Sequence, residues 1–86
     1  MEKISIKIEG RKLHFDLANA MALAIAEDNE EEPMLICWND RGRDMHSPSG
    51  VMCEIKGAPG WEVYGENHGG QLRISINDEE YVFIYA

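Results

Sequence analysis

The chain has 86 residues, with 8 Lys plus Arg against 16 Asp plus Glu, a formal charge of −8. Apolar residues make up 44% and charged residues 28%, the balance of one globular domain and not of a disordered tail, a collagen or a coiled coil. The acidic surplus argues against nucleic acid as a partner, because phosphate contacts need a basic face, and no run of about 18 apolar residues exists to span a bilayer.

In chain order, Ile4, Ile6 and Ile8 alternate with Lys3, Ser5, Lys7 and Glu9. Period-two alternation of β-branched residues predicts a half-buried strand. Gly10 can turn the chain, and Leu13 and Phe15 then alternate with Lys12, His14 and Asp16, so residues 3–9 and 12–15 read as a hairpin. Asp16 suits a helix N-cap, since its carboxylate can accept from the first-turn amides. Leu17 to Asn29 is Ala-rich without Gly or Pro and predicts a helix. Leu17, Met21 and Ile25 recur at i, i+4, i+8, while Ala18, Ala22 and Ala24 permit close approach to a sheet. The acidic run from Glu27 to Glu32 opposes the helix dipole and reads as a solvated end.

Met34 to Trp38 is a dense apolar strand, followed by a polar loop from Asn39 to Ser49. Val51, Cys53 and Ile55 predict another strand, Gly57 to Gly60 a turn, and Trp61 and Val63 a further strand alternating with Glu62 and Tyr64. Gly65 to Gly70 reads as a turn; Leu72, Ile74 and Ile76 form a strand that ends in the turn Asn77 to Glu80. Tyr81 to Tyr85 is apolar throughout, so both its faces should be covered. The predicted order is ββαβββββ: an α+β domain over residues 1–86, a two-layer, mostly antiparallel sheet with one helix on one face. A β-grasp-like arrangement is the alternative.

The chain opens with Met1-Glu2-Lys3-Ile4, without the apolar core of a secretory leader, and its two cysteines are too few for a disulfide scaffold. The expected compartment is the cytoplasm. Cys37 and Cys53 would face each other if residues 34–38 and 50–56 formed a hairpin; pairing is left open, and two reduced hydrophobic thiols are the simpler account.

Cys37, His46 and His68 are the catalytic candidates, as nucleophile and bases with Asp40 or Asp44 as orienter. None is assigned a catalytic role, because spacing does not supply geometry. Cys37, His46, Cys53 and His68 could together ligate a soft metal, but the close ligand pairs of zinc modules are missing, so no metal site or cofactor is assigned. The predicted binding residues are Trp38, Asp40, Arg41, Arg43, Asp44, His46 and His68. The loop after Trp38 concentrates Arg in a chain otherwise poor in it, and two guanidiniums could grip a carboxylate or phosphate. The plainer account is that its Asp and Arg pair with one another.

Pro59-Gly60-Trp61-Glu62-Val63-Tyr64-Gly65-Glu66, Leu72-Arg73-Ile74-Ser75-Ile76, and Cys37-Trp38 followed by Ser47-Pro48 resemble a family of short uncharacterised prokaryotic proteins. The resemblance implies a compact α+β domain and no particular reaction. The expectation is a small acidic domain that binds without catalysis, through an aromatic surface near Trp38, Trp61 and Tyr64. Its partner would be a second copy or a neutral or basic protein, with neither nucleic acid nor membrane involved. The alternative is a small enzyme, or a metal- or anion-binding protein, using Cys37, His46, His68 and the Arg41/Arg43 loop.

Overall fold

The computed structural model describes residues 1–86. Its strands are β1 (Glu2–Ile6), β2 (Leu35–Asp40), β3 (Met45–Ser47), β4 (Glu54–Ile55), β5 (Ala58–Pro59), β6 (Leu72–Ile76) and β7 (Tyr81–Tyr85). Its helices are α1 (Phe15–Asn29) and α2 (Gly60–Asn67), with a 3₁₀ turn at Arg41–Arg43. Five strands form one sheet in the order β1-β6-β7-β2-β3, and β4 and β5 form a separate small ladder. Within the large sheet β1 runs parallel to β6, and the other pairs are antiparallel.

The α+β class and the mostly antiparallel sheet agree with the sequence reading. The element order does not. There is no opening hairpin: Leu13 is buried outside any strand, and Phe15 begins α1. A β-grasp-like order needs that hairpin and is set aside. Instead β1 reaches across the molecule to β6, where Asn77 N–H donates to the Ile6 carbonyl at 2.8 Å and Ile8 N–H to Asn77 Oδ1 at 2.7 Å. Parallel neighbours need a long crossover, and α1 lies within the intervening chain.

The N-cap of α1 is His14, two residues before the expected Asp16; its Nδ1 accepts from Leu17 N–H at 3.3 Å. Asp16 lies inside the first turn, where a carboxylate still favours the helix dipole. Ala18, Ala22 and Ala26 form the fully buried stripe of α1, flanked by half-buried Leu17, Met21 and Ile25. Ala24 faces out instead. Small side chains on that stripe bring the helix backbone close to Leu72, Ile74, Ile76, Tyr81, Phe83 and Tyr85, which form the first core.

The second correction is α2. Residues 61–64 are helical, not extended, and α2 packs on the opposite face of the sheet. Trp61 joins Cys37, Val82 and Ile84 there in a second core, with Ile36, Val51 and Tyr64 around it. The central sheet is therefore covered on both faces, which explains why β7 is buried at all five positions. Gly65 allows the close contact: a Cβ there would lie 2.7 Å from Cys37 Sγ and 3.0 Å from Ile84 Cδ1. The turn Asn77 to Glu80 forms where expected, with Asn77, Asp78 and Glu79 all at positive φ.

The strand predicted for residues 51–56 shrinks to β4, which pairs with β5 across Lys56 and Gly57. Cys53 is consequently exposed while Cys37 is buried, and both are free thiols. The polar loop 39–48 is mostly a hairpin: Asn39 and Asp40 end β2, and His46 and Ser47 belong to β3.

Candidate functional site

Asp40 organises the end of the β2–β3 hairpin. It is only 2% exposed, while the Arg43 side chain is 52% exposed. The Asp40 carboxylate caps the 3₁₀ turn, accepting from Arg43 N–H at 3.4 Å through Oδ1 and from Arg43 Nε through Oδ2. The guanidinium carbon lies 5.3 Å from the centre of the Phe15 ring. Arg43 is thus oriented by a buried carboxylate and an aromatic face, and its two Nη groups have no hydrogen-bond partner within the chain.

This arrangement forms one wall of an open depression of about 570 Å³. Lys12, His14 and Asp16 at the start of α1 line it as well, together with Glu80. Leu13, Phe15 and Tyr81 supply the apolar lining. Tyr81 Oη donates to the Leu13 carbonyl at 3.3 Å. Burial first, then the Asp40 and Glu80 charges, push the Tyr81 hydroxyl above its ordinary range, so it stays a neutral phenol near pH 7.

Of the predicted binding residues, the structure gathers Asp40 and Arg43 at this depression. Arg41 turns away and donates from Nη1 to the Asp78 carbonyl at 2.9 Å, tying the hairpin to the β6–β7 turn. Asp44 is exposed and turns the chain at φ 52°. Trp38 is half-buried with its ring 4.5 Å from Phe15, so it belongs to the core beneath the site. His46 pairs with Asn39, which strand alternation puts on the face of Cys37, opposite to Asp40. Its Nδ1 lies 3.0 Å from the Pro48 carbonyl.

His68 lies at the other end of the sheet. Its ring stacks on Tyr64 at 3.8 Å, and Nδ1 lies 2.8 Å from the Tyr64 carbonyl. The chain then reaches Gln71, which bonds to the Tyr85 carbonyl, whereas Asp40 pairs with Tyr81. Those ends of β7 are about 13 Å apart at strand rise. His46 and His68 do not converge, and neither is hydrogen-bonded to Cys37. Burial, then the nearby Glu62 charge, push the Cys37 thiol up to about 11, which suits a core thiol and not an activated nucleophile. No group of three or more His, Cys, Asp or Glu side chains is placed to hold a metal ion. The expected aromatic surface also separates: Trp38 packs toward α1, and Trp61 and Tyr64 toward the opposite face.

The sequence reading missed Lys12, His14, Asp16, Glu80 and Tyr81 as site residues. His14 caps α1 although histidine is not among the residues that usually do so, and with Asp16 two positions on, no local signal pointed to it. Glu80 and Tyr81 enter only through the pairing of β7 with β2, which no local pattern announces. Arg73 was also missed. Only 11% exposed, it bridges Glu79 at 2.6 Å and Glu62 at 3.2 Å, joining β6, α2 and the β6–β7 turn.

A family model, described as a domain of unknown function, DUF5619, matches residues 1–85. The chain belongs to the DUF5619 family. A search of curated proteins gives no match. The DUF5619 fold is similar to the crystal structure of a novel protein from Archeoglobus fulgidus DSM 4304, with a TM-score of 0.83 and 26% sequence identity. That similarity covers 100% of this chain and 93% of the other. No helix of the DUF5619 chain is long and apolar enough to cross a membrane.

Proposed function

We propose that this domain binds a small zwitterionic molecule without transforming it, in the depression between the start of α1 and the β2–β3 hairpin. The observation that carries the reading is Arg43, which lines the depression half-exposed, held by a buried carboxylate and a phenyl face, with no partner in the chain for its Nη groups. A guanidinium fixed in this way can accept a carboxylate in a bidentate grip without first losing side-chain freedom. Asp16 and Glu80, which also line the depression, suit a cationic group on the same ligand. An overall charge of −8 disfavours a ligand with several negative charges, and a zwitterion avoids that cost.

Any macromolecular partner other than a second copy of this chain would be neutral or basic for the same electrostatic reason. The exposed Cys53 thiol suits a reducing compartment such as the cytoplasm.

The test is a thermal-shift series with glutamate, succinate and inorganic phosphate on the wild type and on Arg43→Gln. A melting point that rises with glutamate more than with the other two, and a response lost in Arg43→Gln, is the expected result. Equal responses in wild type and variant would remove Arg43 from the site. No response to any of the three in the wild type would overturn the reading.

A further inference from the structure

The large sheet has two edges, and they differ. At one edge β3 is only three residues long and runs into Pro48, which blunts it against pairing. At the other, β1 is five residues long. Beyond it the burial alternation continues, with Ile8 half-buried between exposed Lys7 and Glu9, and Ile8 N–H is bonded to the Asn77 side chain. The free edge is thus regular strand through Ile6 and is carried on toward Glu9 by the Ile8–Asn77 bond.

Its backbone directions follow from the bonds it makes. Glu2 N–H donates to Gln71, Ile6 accepts from Asn77, and Ile8 N–H donates to the Asn77 side chain. The even residues therefore point their backbone groups inward. Along a strand these groups alternate, so Lys3, Ser5, Lys7 and Glu9 point theirs outward. Ile4, Ile6 and Ile8 carry side chains on the α1 face, where they reach the first core but remain half-exposed. α1 packs over β6 and β7 and leaves the outer flank of these isoleucines open.

We propose that β1 is a self-association edge on which two copies pair antiparallel about a two-fold axis at Ile6, joining their sheets into one. Sequence favours this register: centring on Ile4 would set Ile6 against Glu2, and centring on Ile8 would set Ile6 against Gly10. Antiparallel partners must share a face, so isoleucines must meet isoleucines. Centring on Ser5 would set Lys3 against Lys7, and centring on Lys7 would set that residue against itself. Centring on Ile6 pairs Ile4 with Ile8 and Ile6 with Ile6. It also sets Lys3 opposite Glu9 on both sides of the axis, with Ser5 opposite Lys7. A two-fold edge contact uses each complementary pair twice. The pairing satisfies the outward amides and carbonyls and covers the open isoleucine flank.

The test is sedimentation equilibrium of the full chain across a concentration series. The wild type is expected to dimerise reversibly. Ser5→Pro removes an outward N–H without touching the bonds to β6, and is expected to be a folded monomer with the wild-type circular dichroism spectrum. Glu9→Lys and Lys3→Glu should each weaken association about tenfold or more, since each replaces two attractive pairs by two repulsive ones. The exchanged variant carrying both substitutions should recover the wild-type constant. A wild type monomeric throughout the series would overturn the proposal. So would a dimer that survives both single charge reversals, or single reversals whose combination restores nothing.

Discussion

Replacing Arg43 with Met should destabilise this domain more than replacing its buried partner Asp40 with Asn. Asp40 is 2% exposed and Arg43 52%. Without the guanidinium, the Asp40 carboxylate keeps one weak donor, Arg43 N–H at 3.4 Å. Removing one partner of a buried ion pair costs about 3–5 kcal/mol. Here water can enter through the open depression and recover part of that, leaving about 2–4 kcal/mol for Arg43→Met. Asp40→Asn keeps a capping oxygen, and the half-exposed guanidinium it releases is readily hydrated. Its cost should be about 1–2 kcal/mol. Adding Asp40→Asn to Arg43→Met should regain about 1 kcal/mol or more, because the uncompensated charge is gone. Urea unfolding followed by Trp38 and Trp61 fluorescence measures all three, provided the slope with denaturant is unchanged. An Arg43→Met variant within about 0.5 kcal/mol of wild type, or an Asp40→Asn variant that loses more, would refute the reasoning.

Gly65→Ala should lose about 1–3 kcal/mol in the same assay, because its Cβ would press on two buried side chains. Combining it with Cys37→Ala should cost less than the two single losses added, and strict additivity would count against this packing. Cys53 should alkylate readily in the native protein and Cys37 only on unfolding. With its thiol pushed up to about 11, Cys37 carries on the order of one thiolate per ten thousand molecules at neutral pH; mass spectrometry after a timed iodoacetamide pulse distinguishes the sites. The Arg73 guanidinium, followed by Ser75, holds the Glu79 carboxyl below its ordinary range. Its stabilising contribution is therefore present above the unfolded-chain value near 4.5 and is lost as pH falls through the lower folded value. Glu79→Gln should show a shallower loss of stability in that acid window, and an unchanged profile would contradict the assignment.

The strands that carry the core were legible because their patterns are unambiguous. Ile4 and Ile6 alternate, as do Leu72, Ile74 and Ile76, and residues 81–85 are apolar throughout. α1 was legible from alanine and the absence of breakers. α2 was misread because Trp61 and Val63 alternate with Glu62 and Tyr64, and aromatic and β-branched residues favour strands in isolation. The helical signal was present at longer range: Trp61, Tyr64, Gly65 and His68 fall at i, i+3, i+4 and i+7. Gly65, which looked like a turn residue, is there because Cys37 and Ile84 leave no room for a Cβ.

The smaller part of the candidate site was legible for a local reason, and the larger part was hidden for a global one. Asp40 and Arg43 stand three residues apart, so their pairing could be suspected from spacing. Arg41, Asp44, His46 and His68 looked equally polar, but the 3₁₀ turn and strand alternation send them elsewhere. Lys12, His14 and Asp16 reach the depression because β1 crosses to β6 and returns the chain as α1 above β7. Nothing in the first sixteen residues encodes that partner; Asn77 does, from the far end of the chain.

The most direct measurement is a nuclear magnetic resonance titration of the labelled protein with glutamate, following the Arg43 Nε–H signal and the His14, Asp16 and Glu80 amides. If Arg43 is the gripping group, these signals move together, saturate at one ligand per chain, and stay still in Arg43→Gln. Signals that do not move at saturating ligand, or that move around His46 or His68 instead, would contradict the account.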